Sequence, residues 1–218
     1  MTPRLPPTAS VAEPAGGDRL FAPAAARNLE PLCNLLADHA PASGRALEIA
    51  SGTGQHVVGF AKRLSGLTWH PSDIDTTRRA SINAYAAEAA LPNIAPALPL
   101  DATLPGWAAE HDPFDLIMLV NLLHLICTPA TRCLITEAAA ALAPEGKLIL
   151  YGPFKRAGEL TSPGDIRFDS ELRSADPTIG YKDDIDMARW LSDAGLSPID
   201  QIDMPANNLA FIAGKPSL

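Results

Sequence analysis

The sequence contains no apolar run of the ~18–20 residues that a membrane-spanning helix needs. Met1 to Asp18 has no apolar h-region, so no secretory signal is expected there. Cysteine is scarce. Cys33, Cys127 and Cys133 form an odd set without paired spacing, which points to reduced, buried thiols in a cytoplasmic protein and to no metal site. Positive charge is also short. The formal net charge of −8 argues against a protein that lives on nucleic-acid phosphates, although it leaves room for a local basic patch. What remains is a 218-residue chain, 47% hydrophobic, enough for one sizeable core and one domain. Its abundant alanine and its excess of arginine over lysine suggest a GC-rich, bacterial genome.

The chain is organised around Ala46-Leu47-Glu48-Ile49-Ala50-Ser51-Gly52-Thr53-Gly54-Gln55-His56. An apolar run predicts a buried strand, a small-residue turn follows, and Gln55 to Leu64 reads as a helix. Backbone N–H groups of such a turn face a ligand beyond the strand's carboxyl end. Two familiar ligands are disfavoured by what is missing. Val57 stands at the third glycine position of a dinucleotide fingerprint, and no Lys-Ser/Thr follows the turn as in a P-loop. Instead Glu48 lies within the strand, and a carboxylate there suits a cationic ammonium or sulfonium. Glu-x-Ala-Ser-Gly-x-Gly resembles motif I of class I S-adenosylmethionine-dependent methyltransferases.

Met1 to Arg19 is rich in Pro and Gly and poor in large apolar residues, so it is expected to be a flexible N-terminal arm, with the domain over 20–218. A helix begins at Ala24, where Pro31 predicts a kink or two short helices. Arg27 and Asn28 on it read either as a solvated face or as a lid that reaches the cofactor's carboxylate. Leu67 to Ile74 is the second strand, and Pro71 suggests its early end or a bulge. Asp73 falls nineteen residues after Gly54, near the ~20-residue offset at which an acidic residue meets ribose hydroxyls. Asp73 is assigned to ribose, with Ile74 beside it, and Asp75 to capping the helix Thr76 to Ala90. Ile94 to Leu100 is a weak third strand; Asp101-Ala102 at its end is assigned to adenine.

Phe114 to Val120 is the central strand, followed by Asn121-Leu122-Leu123-His124. Pro129 to Leu142 is a helix and Lys147 to Tyr151 a strand. Lys155 to Tyr181 reads as a long functional loop. Asp183 to Ala194 is a helix whose Asp183, Asp184 and Asp186 belong to its start rather than to a metal. Ser197 to Asp203 and Asn208 to Gly214 close the chain as a hairpin. This alternation predicts an α/β, Rossmann-like sandwich: a seven-stranded, mostly parallel sheet with one antiparallel strand and helices on both faces.

The blocks Ala22-Pro23-Ala24-Ala25-Ala26-Arg27-Asn28, Glu48 to His56, Pro71 to Asp75, Tyr151-Gly152-Pro153-Phe154 and Met204 to Asn208 resemble one family. It is the methyltransferase-like 26 type, catalogued as a domain of unknown function, over about residues 20 to 214. The resemblance implies the class I fold and a site for S-adenosyl-L-methionine, with S-adenosyl-L-homocysteine as its product.

Within that expectation, Glu48 takes the cofactor ammonium directly or through water. Ala50, Ser51, Gly52, Thr53 and Gly54 cradle the cofactor by backbone, and Asn121 lies beside its methionine portion. His56 faces cofactor or acceptor, or makes a structural hydrogen bond. His124 is the base candidate, set against a histidine satisfied by helix packing. Tyr151 and Phe154 wall the acceptor pocket, and Asn207 and Asn208 hold a polar acceptor or simply make a turn. The predicted activity is in-line methyl transfer to a small-molecule acceptor. The alternative is a non-catalytic cofactor-binding module with a regulatory or assembly role. A nucleic-acid methyltransferase lacks its Asn/Asp-Pro-Pro-aromatic run at Asn121 to His124, and a nicotinamide oxidoreductase lacks its third glycine.

Overall fold

The computed structural model describes residues 5–217. In chain order the elements are β1 (Glu13–Pro14), β2 (Leu20–Phe21), α1 (Pro23–His39), β3 (Gly44–Ile49), α2 (Gln55–Arg63), β4 (Leu67–Pro71), α3 (Thr76–Ala89) and β5 (Phe114–Val120). Then come α4 (Thr128–Ala141), β6 (Leu142–Lys155), α5 (Pro163–Ala175), β7 (Lys182–Asp183), α6 (Asp184–Asp193), β8 (Ser197–Met204) and β9 (Asn208–Gly214). The main sheet has the order β4-β3-β5-β6-β9-β8, and β7 pairs with the end of β6. β4, β3, β5 and β6 are mutually parallel, whereas β9 runs antiparallel to both β6 and β8.

Period-two alternation sorts the core into two layers. Leu47, Ile49, Ile117, Leu119, Leu148, Leu150 and Phe211 face α4 and α6, where Leu134, Met187 and Trp190 meet them. Ala46, Leu116, Met118, Ile149, Tyr151 and Ile212 face α1 and α2, against Leu32, Leu36, Val57 and Phe60. Glu48 occurs in that second register, so its carboxylate enters the α1/α2 layer and not solvent.

Several expectations need correction. Ile94 to Leu100 is not a strand of the sheet: Pro96 and Pro99 lack ladder donors, and the segment makes only single bridges, Ile94 to Trp69 of β4 and Leu98 to Ser72 just past it. The seventh member is the two-residue β7 instead. Pro31 leaves α1 a single helix of 17 residues. β6 does not stop at Tyr151 but runs to Lys155. The polar stretch after it contains α5, capped where Ser162 Oγ accepts from Asp165 N at 3.1 Å.

Met1 to Arg4 of the expected flexible arm lie outside the described residues. The rest of that segment makes specific contacts. β1 and β2 form a small hairpin, Arg19 pairs with Glu88, and Leu20 N donates to Ser81 Oγ at 2.8 Å. Proline and glycine there shape a turn, with Gly16 and Gly17 both at positive φ, rather than keeping the chain loose.

Candidate functional site

From β3 the sheet continues through β4 on one side and through β5 on the other, so the carboxyl ends of β3 and β5 flank a topological switch point. Both strands exit in the left-handed region, at Ala50 (φ 53) and Asn121 (φ 56). That conformation costs an L-residue roughly 1–2 kcal/mol and turns the chain sharply away, which opens a crevice. Gly52 (φ 60) and Gly54 (φ 91) complete the turn. The two glycines differ in purpose. A Cβ on Gly54 would come 2.7 Å from the Ile82 Cα, so Gly54 lets α3 pack, whereas Gly52 meets nothing closer than 3.4 Å.

Serines hold the crevice wall. Ser72 Oγ donates to the Glu48 carbonyl at 2.8 Å, and Ser72 N donates to Ser51 Oγ at 3.1 Å. Thr53 Oγ1 donates to Gln55 Oε1 at 2.9 Å. The Asp73 carboxylate accepts from Gly52 N and Asp75 N, each at 3.0 Å, and so ties the turn to the start of α3. Asp75 caps α3, as its position predicts, by accepting from Arg78 N at 2.9 Å. Ile74, beside Asp73, is exposed.

Glu48 is 1% exposed. Burial raises its carboxyl to about 8; a Ser51 hydrogen bond works against this, and the Asp73 charge adds to it. Its Oε2 atom has no hydrogen-bond partner. An unpaired buried carboxyl oxygen is costly, and a cationic ligand would satisfy it.

A second polar group lies on the same face of the sheet. Its partners orient the Asn28 amide with the nitrogen toward His56 Nε2 at 2.7 Å and the Ala24 and Ala25 carbonyls at 2.8 and 3.0 Å. Burial raises the Tyr151 phenol, which lies on the same face of the sheet in the α1/α2 layer. Burial pushes His56 down to about 4, so the ring is neutral. Asn28 and His56, expected on the cofactor, thus bond to each other and dock α1 on α2, while Asn208, expected on the acceptor, donates through Nδ2 to the Pro205 carbonyl at 2.9 Å within its own turn.

Phe154 is placed differently from expectation, and the remaining candidates each have a definite place. Phe154 is 2% exposed and packs edge-on against Phe211 with centroids 4.9 Å apart, in the α4/α6 layer. β6 continues past Tyr151, and residues three apart on a strand face opposite sides, so Phe154 cannot share a wall with Tyr151. Arg27 is exposed and forms no ion pair among the described residues. Asp101 folds onto its own loop, accepting from Thr103 N at 3.0 Å and Thr103 Oγ1 at 2.5 Å. Ala102, buried, accepts from Trp107 Nε1 at 3.3 Å through its carbonyl. Asn207 Nδ2 donates to Asp165 Oδ2 at 3.3 Å, linking the final hairpin to α5.

His124 is buried in the 3₁₀ turn Leu123–Leu125, edge-on to Phe168 (5.6 Å) and Tyr181 (6.2 Å). Burial, reinforced by the Lys182 charge, lowers it to about 3. Sequence reasoning missed the group around it. Tyr181 Oη donates to Asp165 Oδ1 at 3.2 Å, and buried Lys182 donates to the Ile126 and Gly180 carbonyls at 2.7 and 2.9 Å. The Ser162-Pro163-x-Asp165 capping pattern could have revealed α5 and hence this wall. Arg78 was missed as well; its guanidinium lies over Gly52. A surface hollow between α1, α2 and α3, lined by Phe21, Leu29, Gln55 and Tyr85, lies outside the crevice.

No helix among the described residues is long and apolar enough to cross a membrane. The fold matches known structures at low identity. An O-methyltransferase family protein from Burkholderia thailandensis superposes with a TM-score of 0.76 at 18% identity, over 89% of this chain and 58% of that one. An O-methyltransferase family 2 protein from Planctomyces limnophilus, solved with apigenin, gives 0.72 at 18% identity, over 88% and 60%. Human N-acetylserotonin methyltransferase, solved with S-adenosylmethionine, gives 0.73 at 14% identity, over 89% and 53%. The chain therefore spans little more than half the length of these proteins and shares their α/β methyltransferase fold. A family model covers nearly all of it, residues 19–215, and the chain belongs to that family, whose description is "Protein of unknown function (DUF938)".

Proposed function

We propose that this protein is an S-adenosylmethionine-dependent methyltransferase acting on a small-molecule acceptor. One observation carries the reading: a buried carboxylate with an orphaned oxygen, Glu48 Oε2, in the strand that leads into the switch-point turn. A phosphate-binding turn would place backbone donors or a cation there, not a group that becomes an anion on losing its proton. The residues present therefore fit a cation-bearing nucleoside. When bound, S-adenosylmethionine supplies an electrophilic sulfonium methyl group.

The chain's own residues provide the rest. Glu48 takes the ammonium end, and the amides of 50–54 line the turn. Asp73 keeps lone pairs for ribose hydroxyls beyond the two amides it already accepts. Exposed Ile74 and Leu104 offer apolar cover for the base. Asp101 is turned onto Thr103 through Oδ1 alone, which leaves its Oδ2 for adenine. His124 is neutral at working pH, the right form for a base, but a conjugate acid near 3 gives little driving force for taking a proton. An acceptor that needs little base assistance, such as a soft thiolate, fits this better than an alcohol. The net charge of −8 favours a small acceptor over nucleic acid. The finer resemblance, to the methyltransferase-like 26 type, accords with this reading.

The weak base also favours a second reading, a module that holds the cofactor without transferring its methyl group. Calorimetry with S-adenosylmethionine and S-adenosylhomocysteine tests the shared premise, and micromolar binding is expected. Assays for S-adenosylhomocysteine formation over fractionated metabolite pools then separate the two. Product over some pool supports the enzyme, tight binding without product over any pool supports the module, and absence of binding ends both.

A further inference from the structure

Consecutive residues of the N-terminal segment touch opposite walls of the crevice. Ala9, 8% exposed, is buried with Leu172 of α5, Ile179 and Tyr181. Beside it, Thr8 Oγ1 donates to Glu171 Oε2 of α5 at 2.7 Å. Ser10 belongs to the other side: Arg78 Nη2 donates to its carbonyl at 3.0 Å and to its Oγ at 2.8 Å. Arg78 lies in the first turn of α3, with its guanidinium over Gly52. α3 follows the edge strand β4, and α5 follows β6. Between those strands stand β3 and β5, whose carboxyl ends flank the crevice. Neighbouring Cα atoms are only ~3.8 Å apart, so the chain passes from one wall to the other within a single residue. Ser10 makes that passage at φ 57, a conformation serine rarely holds without support.

We propose that Thr8–Ser10, gripped by Arg78, is the wall that closes the cofactor crevice, keeping the bound cofactor in and water out. The proposal rests on the cofactor reading above. Arg78 acts through Ser10 and is a positioning residue. The segment is anchored downstream, where Leu20 N meets Ser81 Oγ at 2.8 Å and Ala22 N meets Gln55 Oε1 at 2.6 Å. Cofactor exchange then requires the contacts at 8–10 to break while the β1–β2 hairpin stays docked. A closed site of this kind strengthens electrostatic contacts inside it, the Glu48 carboxylate included.

The test measures the release rate of S-adenosylhomocysteine from the full chain, by chasing with excess S-adenosylmethionine. Three variants are compared: Ala9→Glu, Arg78→Ala and Arg78→Lys. Ala9 is buried with Leu172, Ile179 and Tyr181 and is no part of the proposed cofactor cradle, so any effect there comes from the strap. Arg78→Lys keeps a charge beside Asp73 but loses the guanidinium fork, which separates the strap from a plain charge effect. Release about tenfold faster in Ala9→Glu and Arg78→Ala, and faster than wild type in Arg78→Lys, is expected, since wall contacts act mainly on dissociation. Thermal unfolding of each ligand-free variant checks that it is folded. Amide exchange over residues 8–12 gives a readout without cofactor: protection present in wild type should be lost in Arg78→Ala. Unchanged release in folded variants overturns the strap and leaves the cofactor reading standing. Failure of the wild type to bind S-adenosylhomocysteine at all overturns both.

Discussion

Glu48 and Asp73 stand at the ends of adjacent parallel strands, and their carboxylates have opposite hydrogen-bonding fates. Both Asp73 oxygens accept backbone N–H groups, from Gly52 and Asp75, whereas Glu48 Oε2 accepts nothing. The Asp73 charge also makes ionising Glu48 harder. One carboxylate builds the turn, and the other has an unpartnered oxygen that the proposed cofactor's ammonium would satisfy. The two should therefore respond differently to substitution.

Asp73→Asn keeps the volume but replaces one acceptor oxygen with a donor that faces a backbone N–H. The ligand-free chain should lose about 1–3 kcal/mol, the cost of an unsatisfied buried group. Affinity for S-adenosylhomocysteine should fall about 100-fold or more, because charge-assisted bonds contribute roughly 1.5–3 kcal/mol each. Urea unfolding and calorimetry measure the two effects. Affinity within threefold of wild type would remove Asp73 from the ribose.

Below about pH 8 the pH dependence of stability follows mainly from three buried groups; Lys182, lowered by burial to about 8, adds stability as pH rises past that value. His56 and His124 have folded values near 4 and 3, below their ordinary 6.5. They bind fewer protons folded than unfolded, so stability rises with pH up to about 6.5. Glu48 is the reverse. Its folded value is near 8 against an ordinary 4.5, so between those values the folded chain holds a proton that the unfolded chain has lost. Its contribution therefore falls as pH rises, by up to about 1.4 kcal/mol per pH unit. The histidines mask this below about 6.5 and leave it exposed from there to about 8. Thermal melts of the ligand-free protein should show Tm declining over that interval, and Glu48→Gln should flatten the decline. A wild-type Tm that is level from pH 6.5 to 8 would contradict the assignment.

Tyr151 and Phe154 should separate cleanly in an unfolding titration. Phe154→Ala empties a packed core site against Phe211 and should cost about 3–5 kcal/mol. Tyr151→Phe keeps the ring and its place in the α1/α2 layer and should cost no more than about 1 kcal/mol. A cost below about 1 kcal/mol for Phe154→Ala would return that side chain to the acceptor pocket.

The opening strand, turn and helix were legible because every signal in them is local. An apolar run, a carboxylate in register, two glycines and the downstream Asp73 all lie within one supersecondary unit. Reading failed where a decision depended on an element's far end. Ending β6 at Tyr151 put Phe154 on the wrong face, although odd spacing on a strand settles the face once its length is known. Reading 155–181 as a loop hid the aromatic neighbours of His124, which come from α5 and from Tyr181. Ala9 against Tyr181 joins segments far apart in sequence, and no periodicity encodes such a contact.

Binding of the cofactor should release a proton. At pH 6.5 the free protein holds Glu48 protonated, because burial keeps its folded value near 8. An ammonium placed beside Oε2 favours the ionised form, and the proton must leave to the buffer. The ligand's own amino group is already charged at that pH, so it adds little. Calorimetry with S-adenosylhomocysteine in buffers of low and high ionisation enthalpy should therefore give different apparent heats, corresponding to nearly one proton released. Glu48→Gln should bind more weakly and with buffer-independent heat. Raising the pH to about 8 should roughly halve the proton release in the wild type, since Glu48 is then about half ionised before binding. Buffer-independent heat at pH 6.5 in the wild type would mean that Glu48 does not meet the ammonium. The orphaned oxygen would then need another partner.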